Sequence, residues 1–319
     1  MPSLFKTENY THYTVMLNET VAMLDIESCP DGVYVDATLG GGGHSELILS
    51  KLSPKGRLIS FDVDEDAVNA AKERLKGYKN LTIVKRSYSE LKQTLYELNI
   101  NKISGIIFDL GASFHQLTSQ NRGFSFLKDS PLDMRFNKDQ KLSAYDVINT
   151  YDEKKLVEIF SKYGEERFSK RIARAIVNSR PVNTTLQLAD LIISSTPKVK
   201  SRIHPATRVF QAVRIEVNQE LLNFENTLKD VLTLLSSGGI ISVLSFHSLE
   251  DRIVKHFFKE YSKECRCPLN QPKCVCGGKI LELINKKPVT ASDDELKENP
   301  PSRSAKLRAA RKVSDLEFI

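Results

Sequence analysis

Residues 33 to 44 read Val33-Tyr34-Val35-Asp36-Ala37-Thr38-Leu39-Gly40-Gly41-Gly42-Gly43-His44, and this stretch decides the fold. Val33, Tyr34 and Val35 are β-branched or aromatic, so they read as a short buried strand that closes at Asp36. The glycine run then permits a sharp turn and a close approach of backbone to a ligand. His44 to Leu52 carries helical character, giving strand, glycine turn and helix N-terminus. In open α/β sheets nucleotide-like ligands dock at that place.

Downstream the pattern repeats. Arg57 to Asp62 reads as a second strand ending in an acid, Glu65 to Lys76 as a helix, Leu81 to Val84 as a third strand, Tyr88 to Leu98 as a helix, and Ser104 to Asp109 as a fourth strand ending in an acid. This strict alternation predicts a parallel sheet with right-handed crossovers. From about Ser143 to Leu235 the pattern is helical, punctuated by prolines, before a strand returns at Gly239 to Ser245 with a helix at Leu249 to Tyr261. Lys279 to Ile284 and Leu307 to Val313 are candidates for the last strands. The simplest division is a sheet core over residues 1–114, a helical insert over 115–215, and the second part of the core over 216–319 with a basic C-terminal tail.

The 319-residue chain is 40% hydrophobic and 27% charged, ordinary for a soluble globular protein. No apolar run is long enough to span a membrane, and no secretory signal is visible near Met1, so a cytoplasmic protein without a membrane partner is expected. Lys and Arg number 46 against 40 for Asp and Glu, a net +6 that permits a polyanionic partner. The cations crowd between Arg167 and Arg214 and from Arg303 to Lys312. From Glu166 to Ser179, helical spacing puts Phe168, Ile172, Ala175 and Ile176 on one face and Arg167, Lys170, Arg171 and Arg174 on another. A solvated face is the commoner fate of such a stripe; a phosphate-contacting ridge is the sharper reading. On a second helix Phe210, Val213, Val217, Leu221, Phe224 and Leu228 form one long core stripe, with His204, Arg208 and Gln211 on another side.

A dinucleotide fingerprint needs a third glycine where this chain has Ser45, which also disfavours a nicotinamide oxidoreductase. The acid-x-x-x-Gly-x-Gly form of S-adenosylmethionine sites is matched by Asp36, Gly40 and Gly42. Asp62, roughly 20 residues past Gly40, suits a ribose hydroxyl, and Asp109 adds a third acid at a strand end.

Six segments carry a resemblance: D-A-T-L-G-G-G-G-H-S (36–45), R-G-F-S-F-L-K-D-S-P-L-D-M-R (122–135), Y-G-E-E-R-F-S-K-R-I-A-R-A-I (163–176), H-P-A-T-R-V-F-Q-A-V-R-I (204–215), S-F-H-S-L-E-D-R-I-V-K (245–255) and N-P-P-S-R-S-A-K-L-R-A-A (299–310). In these the chain resembles the ribosomal RNA small subunit methyltransferase H, or MraW, family. The resemblance implies a Rossmann-like class I S-adenosylmethionine-dependent methyltransferase sheet with an inserted all-helical domain. It also implies methylation of a cytidine N4 in the decoding centre, the P-site region, of 16S rRNA.

By that resemblance the S-adenosylmethionine contacts fall on Gly42, Gly43, His44, Asp62, Tyr88, Asp109 and Gln116, with no metal. His44 also reads as a helix-capping or packing residue. Cytosine N4 is a poor nucleophile, so catalysis means holding it in line with the methyl group and accepting its proton; Asp109 is the candidate for orienting the amine or taking that proton. Arg167, Lys170, Arg171, Arg174, Arg208 and Arg214, with His204, gain weight as an RNA surface, and the partner implied is 16S rRNA within the small ribosomal subunit. A homodimer is left open. The chain departs from the family at Phe114-His115, just before Gln116, and lacks the Asp/Asn-Pro-Pro-aromatic segment of DNA amino-methyltransferases. Cys265, Cys267, Cys274 and Cys276 read either as a zinc knuckle or as a loop of reduced thiols. A nucleic-acid-binding scaffold with a non-catalytic pocket is the alternative function, which the intact acids and glycine turn oppose.

Overall fold

Seven strands form one sheet in the computed structural model, which describes residues 4–6, 11–119, 121–197, 204–267 and 277–314. We number them β1 (Val33–Asp36), β2 (Arg57–Phe61), β3 (Leu81–Val84), β4 (Ile103–Asp109), β5 (Leu235–Ser245), β6 (Leu281–Leu283) and β7 (Lys306–Lys312). Their order across the sheet is β3-β2-β1-β4-β5-β7-β6. The first five are parallel, while β7 runs antiparallel to β5 and to β6. Within the parallel part, the order reverses between β1 and β4, which makes their carboxyl ends a topological switch point.

The described residues divide into two compact units, Met1–Gly111 with Leu221–Ile319, and Ala112–Glu220. In the first, helices cover both sheet faces, which is why the strands are apolar on both sides. Val35, Ile59, Ile106 and Phe108 share one core with α4 (Leu91–Glu97), α11 (Glu220–Leu234) and α12 (Ser248–Tyr261). Tyr34, Leu58 and Ile107 share another with α1 (Leu17–Ala22), α2 (Gly43–Lys51) and α3 (Glu65–Arg74). The alternation Tyr34/Val35 and Ile106/Ile107 is the two-residue period of a strand sending neighbours to opposite faces.

The second unit is helical: α5 (Phe114–Thr118), α6 (Ala144–Thr150), α7 (Glu153–Lys162), α8 (Ser169–Asn178), α9 (Thr185–Ser195) and α10 (Ala206–Asn218). They enclose a separate core that includes Leu156, Phe160, Ile172, Ile176, Ile192 and Val213.

Two expectations are corrected and a third is extended. The insert extends to Glu220 rather than residue 215, because Asn218 binds back into the unit: its Nδ2 donates to the Met134 carbonyl at 2.7 Å and its Oδ1 accepts from the Phe136 N–H at 2.8 Å. The stripe from Phe210 to Leu228 is two helices, broken at Gln219, whose φ is 51°. The candidate strand at Leu307 to Val313 is present as β7, and the charges of this basic segment have partners: Arg308 and Lys306 pair with Asp251, Arg311 with Asp25, and the buried Lys312 donates to the Leu232 and Leu235 carbonyls. Among the described residues no helix is long and apolar enough to cross a membrane.

Candidate functional site

The carboxyl ends of β1, β2 and β4 bring Asp36, Asp62 and Asp109 to one edge of the sheet. Asp36 is fully buried. Its carboxylate accepts from the Thr38 N–H at 3.1 Å and the Ser45 hydroxyl at 2.7 Å, and Ser45 meets Ser60 at 2.9 Å. Burial outweighs these bonds and pushes the Asp36 carboxyl up to about 6. Ser45, a mismatch to the dinucleotide pattern, is thus the residue that holds the first acid.

The glycine turn is tied down on both sides. Gly40 and Gly42 have φ of 49° and 77°, a region glycine enters without strain. The Gly40 N–H donates to Asp62 Oδ2 at 2.8 Å, and Asp64 N–H donates to Asp62 Oδ1 at 2.9 Å. Burial again dominates, and the Asp62 carboxyl rises to about 6. From α3, Arg74 donates to the Gly41 carbonyl at 3.2 Å and pairs with Glu46 of α2 at 2.7 Å. At Gly43 a Cβ would overlap the Thr14 hydroxyl. That hydroxyl is buried and has no hydrogen-bond partner among the described residues.

Asp109 follows from the neighbouring strand, where its N–H donates to Thr38 Oγ1 at 2.7 Å. His44 Nδ1 lies 3.6 Å from Asp109 Oδ2, the two side chains being 3% and 14% exposed. Desolvation, then the nearby charges of Asp36 and Glu250, hold the Asp109 carboxyl well above the usual range. Glu250 is itself fixed by N–H bonds from Phe246 at 2.8 Å and His247 at 3.3 Å, closing the capping box of α12. Tyr88 follows β3 in a single 3-10 turn, its ring edge-on to Phe108 at 5.7 Å.

Gly42, Gly43, His44, Asp62, Tyr88 and Asp109 all belong to the sheet unit. Gln116 belongs to the helical unit, where it is buried and its Oε1 accepts from the Ser113 N–H at 2.9 Å in the capping box of α5. Sequence reasoning passed over Thr14, Thr38 and Glu250. Only Glu250 carries a local signal, the acid three residues after His247 at a helix start.

In the helical unit Arg167, Lys170, Arg171 and Arg174 are exposed, with Arg167 just ahead of α8, and Arg174 lies 3.5 Å from Glu153. Arg208 is exposed and donates to the Glu165 carbonyl. Arg214 departs from the expected RNA surface: it forms a two-bond pair with the buried Glu220 at 2.9 and 3.0 Å, so its charge is directed inward. Of the cysteine cluster, Cys274 and Cys276 lie outside the described residues.

The sequence profile of the MraW methylase family matches residues 9–313. A ribosomal RNA small subunit methyltransferase H of Clostridium botulinum (strain Loch Maree / Type A3) is 50% identical over 95% of this chain and 99% of its own. One of the same name from Caldicellulosiruptor saccharolyticus is 51% identical over 95% of this chain and 100% of its own.

Proposed function

Because the chain belongs to the MraW methylase family, we propose that it methylates small-subunit ribosomal RNA, at N4 of a cytidine in the decoding centre of 16S rRNA, using S-adenosylmethionine. The observation that carries the reading is the set of three strand-end carboxylates around the glycine cradle. A sulfonium donor is cationic, and Asp36, Asp62 and Asp109 offer it a field it would complement. The Thr14 side chain packs where a Cβ of Gly43 would sit, and its buried hydroxyl, which has no hydrogen-bond partner among the described residues, would be satisfied by a polar ligand at the glycine turn. When bound, the donor supplies a methyl group activated by positively charged sulfur.

In this proposal Gly42, Gly43 and His44 line the donor's place, Asp62 receives ribose hydroxyls, and Tyr88 offers a ring to the adenine. Asp109 then orients the cytosine amine and accepts its proton. Its raised affinity for protons makes it a better base than an ordinary carboxylate, and His44 steadies its carboxylate. On the substrate side, Arg167, Lys170, Arg171, Arg174 and Arg208 bind phosphates of the small-subunit rRNA.

Donor affinity is expected to tighten about tenfold from pH 5 to pH 7. The raised carboxyls of Asp36 and Asp62 favour the free fold below about 3.8, and that contribution is lost as pH rises through about 6. A cationic donor favours their ionised forms. The gain in thermal unfolding midpoint on adding S-adenosylmethionine should therefore grow across this range; a gain independent of pH would separate these acids from the donor.

The function itself is tested by transferring labelled methyl groups onto small ribosomal subunits and onto naked 16S rRNA, followed by nucleoside analysis. N4-methylcytidine is expected, with assembled subunits the better substrate; label on another base, or none, would overturn the assignment. In the same assay Arg171→Glu/Arg174→Glu should weaken rRNA binding and leave donor affinity unchanged. Equal RNA affinity would remove that face from the interface.

A further inference from the structure

Within the helical unit, the segment from Arg122 to Phe136 is pinned along its length and yet presents an apolar side chain to solvent. Leu127 is 86% exposed. The Met134 N–H donates to the Arg122 carbonyl at 2.9 Å, and the buried Arg122 guanidinium donates to the Arg135 and Phe136 carbonyls. Thr185 Oγ1 accepts from the Ser130 N–H at 3.1 Å and donates to the Lys128 carbonyl at 3.0 Å, while the Leu127 N–H donates to Ser125 Oγ at 3.2 Å. A lone exposed leucine is unremarked on most surfaces. This one is held by a bonded loop beside an aromatic pair.

The Phe126 ring stacks on His204 with centroids 4.5 Å apart and planes at 23°, and meets Phe210 edge-on at 5.0 Å. His204 is exposed, and its Nδ1 accepts the Ala206 N–H at 3.2 Å, which fixes the imidazole at the start of α10. Arg208, one turn along α10, bonds the Glu165 carbonyl, and Arg167 follows two residues later; both are exposed. The exposed Leu127 is thus next in sequence to a phenylalanine stacked on an exposed imidazole, and the helix that imidazole begins carries the exposed Arg208.

We propose that Leu127, Phe126 and His204 form a stacking platform for an unpaired nucleobase of the RNA substrate, with Leu127 filling the gap between two separated bases. The inference rests on the RNA reading above. Single-stranded RNA is recognised by stacking its bases on aromatic and imidazole rings, and the flanking cations suit the adjoining phosphates. A loop already bonded in place loses little conformational entropy on binding.

The test uses the full chain and RNA fragments spanning the target cytidine, each with 2-aminopurine at one flanking position. One position should be quenched by the wild-type protein. Leu127→Ser and His204→Ala should each abolish the quenching and raise the RNA Kd about tenfold. Donor affinity should match wild type in both variants, and so should the unfolding midpoint of Leu127→Ser, whose side chain is exposed; His204→Ala also loses the acceptor of the Ala206 N–H and should unfold at a slightly lower temperature. Unchanged quenching and RNA affinity in both variants, with wild-type methylation intact, would overturn the platform alone. Weaker binding to whole subunits but not to RNA would point to a ribosomal protein and also overturn it. A wild-type protein that neither binds nor methylates RNA would remove the functional reading and the platform together.

Discussion

Replacing Asp109 by Asn is expected to lower the rate of methyl transfer by about 10²- to 10⁴-fold while the protein stays folded. The amide keeps the size of the side chain and one acceptor oxygen but cannot take a proton from the cytosine amine. Stability argues in the opposite direction from activity. The Asp109 carboxyl titrates well above its ordinary value because it is desolvated and faces Asp36 and Glu250. Its contribution to folding is present at low pH and is lost as pH rises through that elevated value, so above it an uncharged Asn removes an unfavourable buried charge. At pH above that value the unfolding midpoint of the variant should equal or exceed that of wild type. Single-turnover transfer, measured with donor and RNA both saturating, separates chemistry from binding; an undiminished rate would take Asp109 out of the reaction.

The second large effect is expected from Gly43→Ala. Its added methyl overlaps Thr14 Oγ1 and crowds Thr14 Cβ, and because both residues are buried neither has open space to move into. Overpacking of this kind typically costs about 1–3 kcal/mol. Donor affinity should fall at least tenfold, roughly 1.4 kcal/mol, because relieving the overlap with Thr14 shifts the glycine turn that receives the donor. Gly43→Ala/Thr14→Gly should recover the unfolding midpoint without recovering affinity, since the hydroxyl packed against Gly43 is gone. Calorimetric titration with S-adenosylmethionine decides the matter: wild-type affinity in Gly43→Ala would place the donor elsewhere.

The frame of the sheet unit was legible because its signals are local. Leu81 to Val84 and Arg57 to Phe61 are compact apolar runs, and each strand ends at a turn or an acid, so β1 to β4 lie almost where the pattern puts them. What escaped depends on neighbours distant in the chain. Ser45 reads as a missing glycine until Asp36 and Ser60 are seen on either side of it. Thr14 has no motif; its place beside Gly43 exists only in the fold. The break at Gln219 is hidden because the apolar stripe continues in register across it, and the left-handed residue is not a glycine. Arg214 and Glu220 pair across that same break, outside helical spacing, so the arginine resembled the outward-facing cations of α8.

The position of the helical insert also bears on how the chain acquires its structure. Strands β4 and β5 are partners, with Asp109 opposite Leu244, yet Ala112–Glu220 separates them in sequence. Joining such distant segments closes a long loop before the ladder bonds reward it, a cost that grows by about 0.6 kcal/mol for each doubling of length. If the inserted helices condense first on their own core, that loop is shortened before the strands meet. The order of events follows: β1 to β4, joined by short crossovers, and the helical unit are built from nearer contacts, whereas the pairing of β5, and after it β7, is the late step.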